Sequence, residues 1–219
     1  MELSPAQLKA NYDSILAIIE ENIESPRKEQ LLKLYDSISE HMIMAPASAM
    51  SHHTLAFTGG YCIHVRNMCN AAMLMAKTYK QLKGTIDFTK EELIFTALNH
   101  DLGKVSDGKH PYYLWNESEW HRKNQGKMFV PNPNVTHMSI PDRSLYVLQN
   151  AGISLSESEW LAIKTSDGLY EESNKLYFKT FDPNKEIRNN LIYIIHWSEE
   201  MSSRMEWDVN VTDRMSDIL

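Results

Sequence analysis

Cysteine is nearly missing from the chain: Cys62 and Cys69 are the only two in 219 residues. They stand seven apart in a helical stretch and make no zinc-type CxxC, so they read as core-packed free thiols of a reducing cytosol. Long apolar runs are also lacking. The longest, "LIYIIHW", is far too short to cross a bilayer. The opening "MELSPAQLKANYD" has no basic region followed by an apolar core, which argues against a signal peptide. Positive charge is short as well, with 22 Lys and Arg against 29 Asp and Glu and a net charge of −7. No global basic field draws duplex nucleic acid, and an anionic substrate needs a local basic patch or a metal. Repeats and low-complexity tracts are absent. The expectation is a cytoplasmic protein with neither a membrane nor duplex nucleic acid as partner.

Strand signals are just as scarce. "LYFKTF", residues 176–181, is the one plausible strand. What is present is helical. Ser4-Pro5 and Ser25-Pro26 each read as an N-cap followed by proline at the first helical position, opening helices over 5–23 and 26–43. Their apolar stripes are Ile15, Ile18 and Ile19, then Leu31, Leu34 and Ile38. A turn-rich loop, "APASAMSHHTLAFTGG", precedes a helix over 60–82. Thr89 and Glu92 make a capping box for a helix that ends at "HDLG". Residues 105–136 lack periodicity and hold three prolines and two tryptophans. A loop of that length is usually functional or disordered, and its aromatics argue against disorder. Pro141 opens a helix that Gly152 ends, Ser156 and Glu159 box the start of another that stops before Gly168, and Asp182-Pro183 opens a last long helix to about 206. The fold class is all-α, with an N-terminal extension over 1–44, a main domain over 45–208 and a tail over 209–219.

The chemistry concentrates in "ALNHDLGK", residues 97–104. An apolar helix runs into His100 and Asp101, which are costly to bury unless something binds them. Gly103 is placed as a C′ residue, leaving the negative end of the helix dipole nearby. A divalent cation satisfies an imidazole, a carboxylate and that field together. The plain alternative is a C-terminal histidine on the dipole beside an exposed aspartate. Two more polar residues sit on apolar helix faces: His64, among Ile63, Val65 and Met68, and Glu199, four residues past Ile195 and seven past Ile192. Taken singly, His64 reads as a satisfied core histidine and Glu199 as a surface acid, with Glu200 and His196 as competitors. Three orphan polar positions together suggest one shared partner.

The order His64, His100-Asp101, acid resembles the HD-domain superfamily of metal-dependent phosphohydrolases. "HHTLAFTGGYCIHV" and "HDLGK" are similar to its HH…GG…H and central motifs. "WHRKNQGKMF", "PDRSLYVLQNAGISLSESEWLAIKTSDGLY" and "IIHWSEEMSSRMEWD" are similar to HD proteins encoded by bacteriophages. The resemblance covers about residues 45–208. It implies an HD-domain helical bundle with a long loop over the active site, and His64, His100, Asp101 and Glu199 as metal ligands. Glu199 falls where the family has an aspartate, which leaves the metal (Mn, Co, Ni, Fe, Zn or Mg) open. Ser166 stands before Asp167-Gly168 where many relatives have a histidine, and His137 lies where two-metal members often have one. The expectation is therefore one tightly held ion, with a second weak or absent.

The resemblance further implies hydrolysis of a phosphoester or phosphoanhydride bond of a small nucleotide, foremost a (deoxy)nucleoside mono- or triphosphate. Asp101 would hold the attacking water as well as the metal, Lys104 would pair with a phosphate, and His53 would contact phosphate or protonate the leaving oxygen. Substrate binding falls to Arg122, Lys123 and Lys127, which with His121 form the densest basic cluster, and to Trp120 and Tyr113, which with Tyr112 and Trp115 are loop rings that can stack on a base. A solvated face and simple loop anchoring are the plain alternatives for those residues. Two rival functions remain: a phosphodiesterase for cyclic or oligonucleotide signals, and a degenerate HD domain that binds a nucleotide or protein without turnover. Homo-oligomerisation is left open.

Overall fold

Helix follows helix along the chain because the capping signals are met where they occur. The computed structural model describes residues 2–53, 55–179 and 182–216, with side chains to Asp208 apart from Pro183. It is all-α, with one two-stranded hairpin among the described residues. Ser4, Thr89 and Ser156 each close a reciprocal capping box, with Gln7, Glu92 and Glu159, at the starts of α1 (Pro5–Asn22), α5 (Lys90–Asn99) and α8 (Glu157–Lys164). Ser139 caps α7 (Ile140–Asn150), and Gly152, at φ +71°, follows its end as expected.

The core forms around α4 (Gly60–Gln81), which packs against α1, α5 and the last helix, α10 (Asn190–Ser216). Ile15 and Ile19 from α1 and Leu31 from α2 (Arg27–Ser37) share that core with Val65, Met68, Phe95, Leu98, Leu148, Ile163, Ile192 and Ile195. Each is essentially fully buried, and burying a side chain of this size stabilises by about 1.5–3 kcal/mol. Cys62 and Cys69 are free thiols in this core, as expected. No described helix is long and apolar enough to cross a membrane.

Four local expectations need correction. The helix over 26–43 is two: α2 ends at Ile38, whose φ of −119° breaks the ladder, and α3 (Ser39–Met44) follows. Pro26 occupies the cap position after a cis Ser25-Pro26 bond, and the Ser25 hydroxyl bonds Glu29 rather than a backbone N–H. "LYFKTF" is no strand across 176–178, which belong to α9 (Lys175–Phe178); Thr180 and Phe181 lie outside the described residues. There the ring of Phe178 packs edge-on against Tyr193 at 5.9 Å, so tertiary packing overrides β propensity. Asp182-Pro183 opens only a 3-10 turn, and α10 begins later and continues to Ser216.

The sheet lies instead inside 105–136. β1 (Tyr113–Trp115) pairs antiparallel with β2 (Phe129–Pro131), in the register Tyr113↔Pro131, Leu114↔Val130 and Trp115↔Phe129. The helix α6 (Glu119–Gln125) is inserted between them. This segment is therefore an ordered excursion, pinned by Asn116 Nδ2 donating to Lys127 O and Asn132 Nδ2 donating to Pro111 O.

Gly103 also departs from expectation. No left-handed residue ends α5: His100 stays helical (φ −55°, ψ −38°) and the chain tightens into a 3-10 turn over Leu102–Lys104. Glycine is needed there for closeness rather than conformation. A Cβ at Gly103 would lie 2.4 Å from Ile140 O and 2.9 Å from Arg143 Cβ, both on α7. The contact sets the end of α5 hard against α7, and Ser144 locks it. Its hydroxyl accepts from Gly103 N (2.8 Å) and donates to His100 O (3.0 Å).

Candidate metal centre

Three helices converge at the end of α5. α4 brings His64, the C-terminus of α5 brings His100 and the adjoining Asp101, and α10 brings Glu199. One ligand atom from each lies within 4.8 Å of the others. His64 Nε2 and His100 Nε2 are 3.4 Å apart, and Glu199 Oε2 is 3.2 Å from each. Asp101 Oδ2 stands 3.6 Å from His64 Nε2 and 3.7 Å from His100 Nε2. The histidines and Asp101 are buried; Glu199 is partly so. The four residues expected as ligands come together.

The far sides of the rings fix what the near sides present. His100 Nδ1 lies 2.9 Å from Ala97 O, which can only accept, so the neutral ring carries its proton on Nδ1 and turns the Nε2 lone pair inward, the form a cation would bind. His64 Nδ1 faces both oxygens of Glu206 at 3.1 and 3.2 Å, with the same consequence. Asn67 Nδ2 in turn donates to Glu206 Oε1 (2.9 Å). On Glu199, Oε1 accepts from the Ser203 hydroxyl (3.1 Å), while Oε2 is buried with no hydrogen-bond partner among the described residues. Two nitrogen lone pairs and a carboxylate oxygen thus crowd one point, which is unfavourable without positive charge between them. The residues fit a divalent cation, and the carboxylate–histidine and carbonyl–histidine pairs behind them are the support such ligands need.

The electrostatics run the same way. Burial alone lowers the affinity of His64 for a proton, yet Glu199 and Glu206 more than reverse it and raise its pKa well above the usual imidazole range. Burial opposes the charge on Lys104 too, but Asp101, to which its ammonium is paired, and Glu199 raise its pKa. The site gathers positive charge from whatever is at hand.

A cleft of about 450 Å³ opens on this group, lined among others by His53, His64, Lys104, Tyr113 and Glu199. His53, Lys104 and Tyr113 are therefore placed beside the quartet. Arg122, Lys123, Lys127 and Trp120 do not line it. Lys123 pairs with Glu119 on the exposed side of α6, and Trp120 is largely in solvent. Arg122 donates to Asn116 O and lies 5.0 Å above the Trp115 ring. Lys127 sits in a bridge to Met50.

His137 is exposed and outside the quartet. Asp167 is raised to about 6, by burial first and then by Asp101, but it too is outside the group. The Ser166 hydroxyl donates to Ile163 O (3.0 Å), turned to its own helix. Of the competitors to Glu199, His196 faces Ser166 O at 3.2 Å, and Glu200 lines the cleft without joining the quartet.

Sequence reasoning missed Glu206, Asn67 and Ser144. Glu206 carried a usable signal. It lies seven residues after Glu199, so a second carboxylate repeats on the same buried stripe of α10. Ser144 carried none, because its role depends on how closely α7 approaches the α5 terminus.

Comparisons with protein-family models, with characterised proteins and with solved structures return no match to this chain.

Proposed function

We propose that the protein is a metal-dependent phosphohydrolase of the HD type acting on a small nucleotide. The observation that carries this reading is the quartet itself: two imidazoles with fixed tautomers and two carboxylates, drawn from three helices and opening on a cleft. The order of its residues in the sequence, with "HDLGK" at its centre, supports the HD type.

His64, His100, Asp101 and Glu199 would hold the ion. Two imidazoles with two carboxylates favour a first-row transition ion such as Mn²⁺, Fe²⁺ or Co²⁺ over Mg²⁺. When bound, the ion supplies Lewis-acid polarisation of a phosphoryl group and of water. Asp101 orients the attacking water through its carboxylate. Lys104, freed from part of its pairing with Asp101, offsets phosphate charge as a point cation. His53 sits at the cleft wall, where burial and then His52 lower its pKa, so the neutral ring can accept a hydrogen bond at neutral pH.

The experiment is a panel of linear and cyclic nucleotides incubated with Mn²⁺- or Co²⁺-loaded protein, with products identified by mass. Release of phosphate from a mono- or triphosphate is the expected outcome, lost in His100→Ala and Asp101→Ala. Bound metal without product from any nucleotide would turn the reading to a binding domain, and cyclic-bond cleavage alone would turn it to a phosphodiesterase.

A further inference from the structure

A second cleft, of about 490 Å³, adjoins the first. Lys104 and Tyr113 line both, so they form a shared wall. The two clefts differ in chemistry. The metal-side cleft carries imidazole, carboxylate and hydroxyl groups. The far one is walled chiefly by Met44, Leu114, Trp115 and Phe129, with Glu40, His41 and Thr58 at its polar side.

Its walls come from two parts of the chain. Met44 and Glu40 belong to α3, and the aromatic side is the β1–β2 hairpin. Trp115 is the most exposed of its aromatic rings. It pairs with Phe129 across the register, the rings meeting edge-to-face at 5.4 Å. The Arg122 guanidinium lies over it at 5.0 Å and is held by Asn116 O. A tryptophan buttressed on an edge and under a cation is fixed in orientation. It nevertheless keeps 46% of its surface exposed, and Leu114 and Met44 beside it keep 38% and 54%. Such apolar exposure gathered in a cavity of ligand size is how a planar aromatic group is received. Glu40, exposed at the edge of the cleft, adds a carboxylate acceptor.

We propose that this second cleft is a nucleobase pocket, taking a base that carries an exocyclic amine and presenting its phosphate across Lys104 to the metal cleft. The pocket deepens the hydrolase reading and rests on it for the phosphate side alone. It also changes the role of one residue: Arg122 positions Trp115 rather than meeting phosphate.

The test uses nucleosides, which lack phosphate, so it needs neither turnover nor metal. Guanosine, adenosine, cytidine and thymidine are titrated to millimolar concentration into the full chain, and protein NMR shifts are followed. The amine-bearing nucleosides are expected to bind, with thymidine weakest, and Trp115→Ala to weaken binding at least tenfold while Trp115→Phe restores most of it. Glu40→Gln should narrow the gap between cytidine and thymidine. Melting temperatures within a few degrees of the parent would place the Trp115→Ala effect in the pocket. Absence of nucleoside binding, or binding indifferent to Trp115→Ala, would overturn the pocket even where the nucleotide panel shows turnover. Nucleoside binding without turnover would leave the pocket standing and remove the hydrolase.

Discussion

At the scale of single residues, the tautomers matter most. Glu206 touches no other quartet member than His64, yet it decides which nitrogen of His64 is the donor. Glu206→Gln can still pair with Nδ1 but offers no negative charge. Changes to a residue that holds a ligand's far nitrogen cost about 10–100-fold in metal affinity. The expected result is a loss in that range, read by competition with a chromogenic chelator, with the helical far-UV spectrum retained. The thiols make a contrasting case, since burial lifts Cys69, and Cys62 against the opposing pull of Arg66, from the ordinary 9.0 to about 12. The sign follows from the acid's neutral form being the buried one. Below about pH 9 both folded and unfolded thiols are protonated and their contribution to stability is intact. Between about pH 9 and 12 the unfolded chain ionises first, so stability falls as pH rises. Native protein at pH 8 should resist iodoacetamide and react at both thiols in denaturant. Rapid alkylation of the folded chain would show the thiols to be accessible.

Among the elements, the junction of α5 with α7 is the most constrained. Gly103→Ala would drive a methyl to 2.4 Å from Ile140 O and push α7 off the turn that carries Asp101. Overpacking typically costs about 1–3 kcal/mol, so a lowered denaturation midpoint together with weaker metal binding is expected. Ser144→Ala removes both hydrogen bonds at the same junction without adding volume. It separates the two effects: stability should fall by about 1–3 kcal/mol with the α7 spacing kept. The elements also show what the sequence makes legible. Caps at Ser4, Thr89 and Ser156 are local chemistry and could be read outright. Three-residue strands such as β1 and β2 carry too little periodicity to announce themselves. The helical state of 175–178 depends on Tyr193 and on neighbouring turns, which no local window contains.

For the molecule as a whole, the four residues of the quartet were legible because each is a polar residue on an otherwise apolar stretch, and such exceptions need a common cause. Their supporting residues were harder to see, since Asn67 and Ser144 look ordinary until the helices are packed. Ion binding to the folded chain alone should stabilise it by about 2.7 kcal/mol at a concentration one hundred times the dissociation constant. Differential scanning fluorimetry with Mn²⁺ or Co²⁺ should show a rise in melting temperature that Glu199→Ala abolishes. Elemental analysis after dialysis should give one ion per chain, unchanged in His137→Ala, because that imidazole lies outside the quartet. Two ions falling to one in that variant would contradict a single tight site.

The spacing of the candidate ligands along the chain has a consequence for biosynthesis. His64 leaves the ribosome long before Glu199 and before Glu206, the carboxylate that orients its ring, both of which belong to α10. A nascent chain halted before α10 has three of the four ligands and a misoriented imidazole. It should therefore neither retain an ion nor be rescued by adding one, so that ion retention would begin only once α10 is made and folded. Purified chains ending just before residue 190 and at residue 219 should differ in protease resistance on adding Mn²⁺, with protection confined to the longer one.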